Sequence, residues 1–195
     1  MSSRIIVIDA MNIRSGGGLK HFSQFLHYSS QDKHNFKKLV VFGNRKHEII
    51  TENRDDIVLI SNFFTNGNQL IRALYQFIYI SPYSFFVGAN FIFVPGGGFF
   101  GYTNRVIPIF QNLLPFTPSE VRRYKSFTSR LKFFILRIYQ GWTFKRAMAV
   151  IYLSHYARSV LVNSIRLNNK LRFKVISHGF EIEKLQINRV SKDIS

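Results

Sequence analysis

Residues 4–22 read RIIVIDAMNIRSGGGLKHF, and this stretch decides the fold. Ile5–Ile8 is an unbroken apolar run. A half-solvated strand would alternate apolar and polar side chains; this one does not, so it is buried on both faces. Asp9 ends the strand. The loop that follows carries Gly16, Gly17 and Gly18, and a helical pattern begins there. Three consecutive glycines surrender more backbone entropy than a simple turn requires. Either a ligand approaches them, or the loop packs tightly against its neighbours.

Similar apolar runs recur along the chain: Leu39–Phe42, Ile57–Ile60, Phe91–Val94, Val106–Phe110, Ala149–Leu153 and Lys174–Ile176. Helical patterns separate several of them, notably Gln69–Ile80 and Ser119 to about Trp142. Strands alternating with helices give an α/β fold with a Rossmann-like, doubly wound, mainly parallel sheet. Pro108 inside one run predicts an edge or a bulge there, because it cannot donate to a sheet ladder. Residues 184–195 are polar and unpatterned, and read as a tail or the start of a linker.

The 195 residues fit one domain and can bury a sizeable core. With no cysteine there is no disulfide, thiolate metal site or cysteine nucleophile. The loudest global signal is charge. Lys and Arg number 27 against 10 acids, a formal net charge of +17. Such a surface attracts phosphate, whether on nucleic acid, anionic lipid or a nucleotide-linked substrate. No signal peptide is visible, since Asp9 interrupts the first apolar run. Residues 77–95 are apolar, uncharged and about long enough to span a bilayer. Their Ser81, Pro82, Ser84, Gly88 and Asn90 suit a buried helix, a turn and a buried strand better.

A glycine loop between a strand and a helix can cradle phosphate through its N–H groups and the helix terminus. Two familiar versions fail here. The dinucleotide fingerprint wants a third glycine where His21 stands, and an acid after the second strand, where the sequence is the basic FGNRK of residues 42–46. The ATP-binding loop needs Gly-Lys-Ser/Thr, and Lys20 is followed by His21. No nucleophile elbow, zinc-type histidine spacing or catalytic carboxylate pair stands out; Asp55–Asp56 reads as solvated. Ligands of open parallel sheets bind beyond the carboxyl ends of the strands. By that rule the loops SGGG, PGGGFF, QNLLPF, SHYAR and SHGFE converge on one cleft, with Asp9 the acid at its edge.

Taken as one helix at ~100° per residue, the Ser119–Trp142 pattern places Val121, Tyr124, Phe127, Leu131, Phe134, Ile135 and Ile138 on one arc. Arg122, Arg123, Lys125, Arg130, Lys132 and Arg137 fall opposite, with Phe133 and Leu136 among them. A one-signed basic face with interleaved apolar side chains suits an anionic lipid surface, with Phe133 and Leu136 dipping into it. A plain solvated face is the alternative.

Those five loops together resemble the N-terminal domain of retaining GT-B glycosyltransferases of family 4, of the bacterial surface-polysaccharide type. The matching stretches are SGGGLKHF (15–22), QNLLPFTPSEVRRYKS (111–126), AVIYLSHYARSVLV (149–162) and KVISHGFE (174–181). The resemblance implies half of a two-domain enzyme that moves a sugar from a nucleotide-sugar donor to a lipid-linked glycan acceptor, without a metal or other cofactor. Gly16, Gly17 and Gly18 would approach the donor diphosphate and the acceptor, and Asn112 would line the acceptor side. Ser154, Arg158 and His178 would stand at the cleft mouth. The expected place is the cytoplasmic, inner face of the plasma membrane, held peripherally.

In that family a second domain supplies most donor contacts, including a spaced pair of glutamates. The last acids here, Glu181, Glu183 and Asp193, form no such pair. Residues 1–183 are therefore expected to be the acceptor-side domain, inactive alone and completed by a donor-binding domain or subunit. A basic nucleic-acid-binding protein is the rival, disfavoured because no recognised nucleic-acid motif occurs.

Overall fold

The structure is a computed structural model that describes residues 4–29, 36–51, 54–167 and 171–177. The described residues form seven strands: β1 Arg4–Asp9, β2 Phe36–Phe42, β3 Ile57–Ile60, β4 Phe91–Val94, β5 Val106–Phe110, β6 Ala149–Tyr152 and β7 Arg172–Val175. They form one sheet in the order β3-β2-β1-β4-β5-β6-β7, and every pairing is parallel. The Rossmann-like, doubly wound α/β architecture expected from the sequence is the one observed.

The apolar runs are continuous because both faces of the sheet are covered. Ile8, Leu39, Val41, Phe93 and Ile109 project to one side, where Phe22 and Leu26 of the first helix, Gly16–Tyr28, pack on them. Val7, Val40, Phe42, Ile92, Val94 and Val106 project to the other, against Ile80. Period-two alternation of strand side chains thus feeds two apolar layers from the same strands. Phe110, Val150 and Tyr152 build a third cluster with Phe116, Phe144 and Leu161.

Pro108 is neither at an edge nor in a bulge. It lies in interior strand β5, where Val94↔Pro108 ends the pairing with β4 and Ile109↔Ile151 begins the pairing with β6. The missing N–H falls where the strand changes partners.

Two helices depart from the sequence pattern. The helix from Gln69 does not stop at Ile80. It runs α over Gln69–Tyr75, widens to a π turn over Gln76–Ile80, and returns to α over Ser81–Phe86. In an α-helix the Pro82 ring would strike the carbonyl four residues earlier. The wider turn, in which the Ser81 N–H reaches back to the Gln76 carbonyl, relieves that conflict. The second departure is a break. Pro118–Arg122 is a short helix, residues 123–126 are not helical, and Phe127–Arg146 is a separate long helix. Val121 and Tyr124 therefore do not continue the arc of Phe127 to Ile138.

Candidate functional site

β2 and β3 lie to one side of β1, and β4 to β7 to the other. The winding reverses between β1 and β4, which opens a crevice at the carboxyl ends of those strands. The glycine loop follows β1. Gly16 has φ +65°, a left-handed backbone that favours glycine. A Cβ on Gly16 or Gly17 would meet nothing within 4 Å, and one on Gly18 would make only an ordinary contact with Ile13 at 3.7 Å. Tight packing thus does not explain these glycines. Ser15, at the helix N-cap, makes no side-chain cap.

The second glycine loop behaves in the opposite way. Gly97 has φ +76°, and its Cβ would lie 2.9 Å from the Ile109 carbonyl oxygen. A Cβ on Gly96 would meet Asn12 Cβ at 2.9 Å, and one on Gly98 would overlap the Tyr139 ring. These glycines let the β4 loop pass beneath the Phe127–Arg146 helix. They serve packing rather than a ligand.

A buried polar chain joins the two loops. Asp9 is 1% exposed, accepts from the Met11 N–H at 3.2 Å, and accepts from Gln76 Nε2 at 2.5 Å. Gln76 Oε1 accepts from the Phe100 N–H at 2.8 Å and lies 2.9 Å from Tyr139 Oη, which also lies 2.8 Å from the Gly98 carbonyl. Burial pushes the Asp9 carboxyl up to about 6, against the opposing pull of Gln76, Met11 and the Arg72 charge. Burial likewise drives the Tyr139 hydroxyl well above its ordinary value, helped by the Asp9 charge. Gln76, Tyr139 and Arg72 escaped the sequence reading. The one signal was that Arg72 is the last charge before a long uncharged stretch.

The first, fourth and fifth strands share a shallow depression of about 40 Å³, lined by residues including Gly18, His21, Pro95 and Gln111. Gln111 Nε2 donates to the Pro95 carbonyl at 2.9 Å. Asn112 follows, half-buried, at the same edge. Ser154 and Arg158 lie one strand further along. Ser154 caps the His155–Ser164 helix by accepting from the Ala157 N–H at 3.0 Å, and the Arg158 guanidinium stacks on Phe173 at 4.2 Å. Both thus have structural partners. His178 lies outside the described residues. A larger hollow of about 560 Å³, lined by Asn104, Arg105, Lys145, Arg146, Ala147, Met148 and Leu171, sits at the amino ends of β5 to β7, away from the crevice.

The basic helix is turned differently from the expectation. Phe133 and Leu136 are half-buried, and the Phe133 ring packs on Tyr124 with centroids 4.9 Å apart. The apolar arc opposite the basic residues faces outward instead, from Leu131 at 45% exposed to Phe127 at 76%, with Phe134, Ile135 and Ile138 between. The helix is anchored by its last turns, where Gln140, Gly141, Thr143 and Phe144 are buried, so its first half projects. Arg130 donates to the Tyr124 and Arg122 carbonyls and Arg137 to the Ser164 carbonyl. Arg123 pairs with Glu120 at 3.0 Å, while Arg122, Lys125 and Lys132 are exposed. Leu70, Leu74, Ile78 and Phe85 also face solvent from the Gln69–Phe86 segment. Phe77 touches Phe100 and Tyr102, and Arg146 reaches the Gly101 carbonyl, so this segment and the long helix meet across the β4 loop.

Asp56 is held by Arg54 at 2.6 Å, which lowers the carboxyl, and Arg54 also donates to the Leu26 and Ser29 carbonyls. That acid braces a loop. Among the described residues, no cluster of His, Cys, Asp and Glu could hold a metal, and no helix is long and apolar enough to cross a membrane. No protein-family model matches the chain, and no curated protein is significantly similar to it.

Proposed function

We propose that this chain is the acceptor-side half of a glycosyltransferase of the two-domain GT-B kind, working on a lipid-linked glycan at an anionic membrane face. The observation that carries the reading is the bare glycine loop at the crevice. A Cβ on Gly16 or Gly17 would meet no other described part of the chain within 4 Å, at the place where this sheet topology seats ligands. The four sequence stretches that resemble family 4 lie in order along the chain. The donor side belongs to a second unit, on the same polypeptide or a separate one. It would bring the charges that stabilise the leaving diphosphate.

The outward apolar face supports a lipid-facing role. Phe127, Leu131, Phe134, Ile135 and Ile138 project together, beside exposed Lys125 and Lys132. Apolar side chains entering the interface and cations meeting anionic headgroups act together in such contacts.

Gly17→Leu tests the reading. The new side chain enters open space, so the melting temperature is expected to hold, while binding of a diphosphate-linked lipid glycan in vesicles falls about tenfold or more, ~1.4 kcal/mol. The measurement is vesicle flotation with and without the glycan. Equal glycan-dependent binding by wild type and variant would overturn the assignment of the loop.

A further inference from the structure

Among the described residues, Arg72 forms no ion pair. It lies on the Gln69–Tyr75 helix, and its Nε and Nη1 are buried with no hydrogen-bond partner. Asp9, whose charge acts on it, is committed to Gln76 and Met11. Buried donors left unsatisfied are rare in native proteins and destabilise the fold. A guanidinium is also expensive to bury without a partner charge.

Nor is Arg72 alone. Arg14, in the loop after β1, is close enough to act on it with the same sign. Arg14 is held in place by its Nη2, which donates to the Asn66 and Gly67 carbonyls, both at 2.8 Å. Two like-charged guanidiniums thus act on each other, one fixed by backbone carbonyls and the other with two buried nitrogens that find no partner among the described residues.

We propose that Arg72 and Arg14 form a binding site for a diphosphate-type oxyanion in the crevice between the β1 and β4 loops. Guanidinium groups suit this ligand because their N–H bonds are planar, permanently charged and matched to phosphoryl oxygens. Nε and Nη1 direct their hydrogens to different sides of the group, so one oxygen cannot serve both. A diphosphate, with oxygens on two phosphorus atoms, can. The same chemistry is found on a nucleoside diphosphate and on a diphosphate-linked lipid. The site does not rest on the glycosyltransferase reading, since its readout uses neither sugar nor acceptor.

The test is calorimetric titration and thermal melting of the full chain with inorganic pyrophosphate. Wild type is expected to bind saturably and to melt higher in its presence. Arg72→Leu removes a half-buried cation whose Nε and Nη1 have no partner among the described residues, so its own melting temperature is expected to hold or rise while pyrophosphate binding is lost. Arg72→Gln serves as the second variant if the leucine form fails to fold. Arg14→Gln is expected to weaken binding about tenfold, and Lys174→Gln, on the far edge strand, to leave it unchanged. Competition against pyrophosphate by a soluble nucleoside diphosphate, or by vesicles carrying a diphospholipid, identifies the source of the ligand. No saturable binding by wild type, undiminished binding by the Arg72 variants, or an equal loss in Lys174→Gln would overturn the site. These outcomes are separate from the fate of glycan binding in Gly17→Leu.

Discussion

Asp9 is the residue on which the crevice turns. Its carboxyl is raised from 3.8 to about 6, first by burial and against the opposing pull of Gln76, Met11 and Arg72. Between those values the folded chain holds a proton that the unfolded chain has released. The stabilising contribution is therefore complete below the lower value and is lost as pH rises through the upper one. Asp9→Asn cannot ionise. Across a pH series from about 4 to 7, unfolding free energies are expected to shift in favour of the variant by up to roughly 3 kcal/mol, then stay level. The amide NH2 must face one of the two donors that Asp9 accepts from, Gln76 Nε2 or the Met11 N–H, but that offset does not vary with pH, so the trend is the readout. Urea denaturation at each pH measures it. A constant difference across the series would mean that Asp9 titrates like a solvated acid.

At the scale of elements, the strands were plain in the sequence because burial on both faces leaves an unbroken apolar run, as in Ile5–Ile8 and Leu39–Phe42. The helices were less plain. Nothing in Tyr124–Lys125–Ser126 forbids a helix, so the break before Phe127 comes from tertiary placement. The same placement turns Phe134 and Ile138 outward, because Phe144 and Gln140 fix the far end of the helix. The glycine loops illustrate the limit of the site reading. SGGG and PGGGFF look alike as text, yet Gly17 faces open space while Gly98 lies under the Tyr139 ring. Only the contacts tell them apart. Gly98→Ala is accordingly expected to cost about 1–3 kcal/mol, because the ring and the β4 loop must separate. Gly17→Ala is expected to be neutral or slightly stabilising, since alanine suits a helical turn better than glycine. Thermal melts of the two variants should differ in sign or at least clearly in size; equal losses would show that both loops are packed alike.

Across the whole molecule, a net charge of +17 and an outward apolar face act together. Charge attraction to an anionic vesicle or to DNA is screened by salt, whereas burial of Phe127, Phe134 and Ile138 in an interface is not. In about 0.5 M salt, binding to duplex DNA should collapse, while binding to anionic vesicles should persist in large part. The double variant Phe134→Ser, Ile138→Ser should lose that salt-resistant fraction and keep its low-salt attraction. Co-sedimentation across a salt series reads all of these. Vesicle binding that vanishes with salt as steeply as DNA binding would assign the basic surface to nucleic acid.

The π turn at Gln76–Ile80 has a further consequence. It holds one residue more than an α-helical turn, so the segment before it, with Arg72, is rotated by about 100° relative to an uninterrupted helix. The aim of Arg72 is therefore stored in chain length rather than in side-chain identity. A chain one residue shorter between Gln76 and Ser81 would keep Asp9, Gln76, Arg72 and Tyr139 and still point Arg72 elsewhere, like a key cut correctly but seated one notch off.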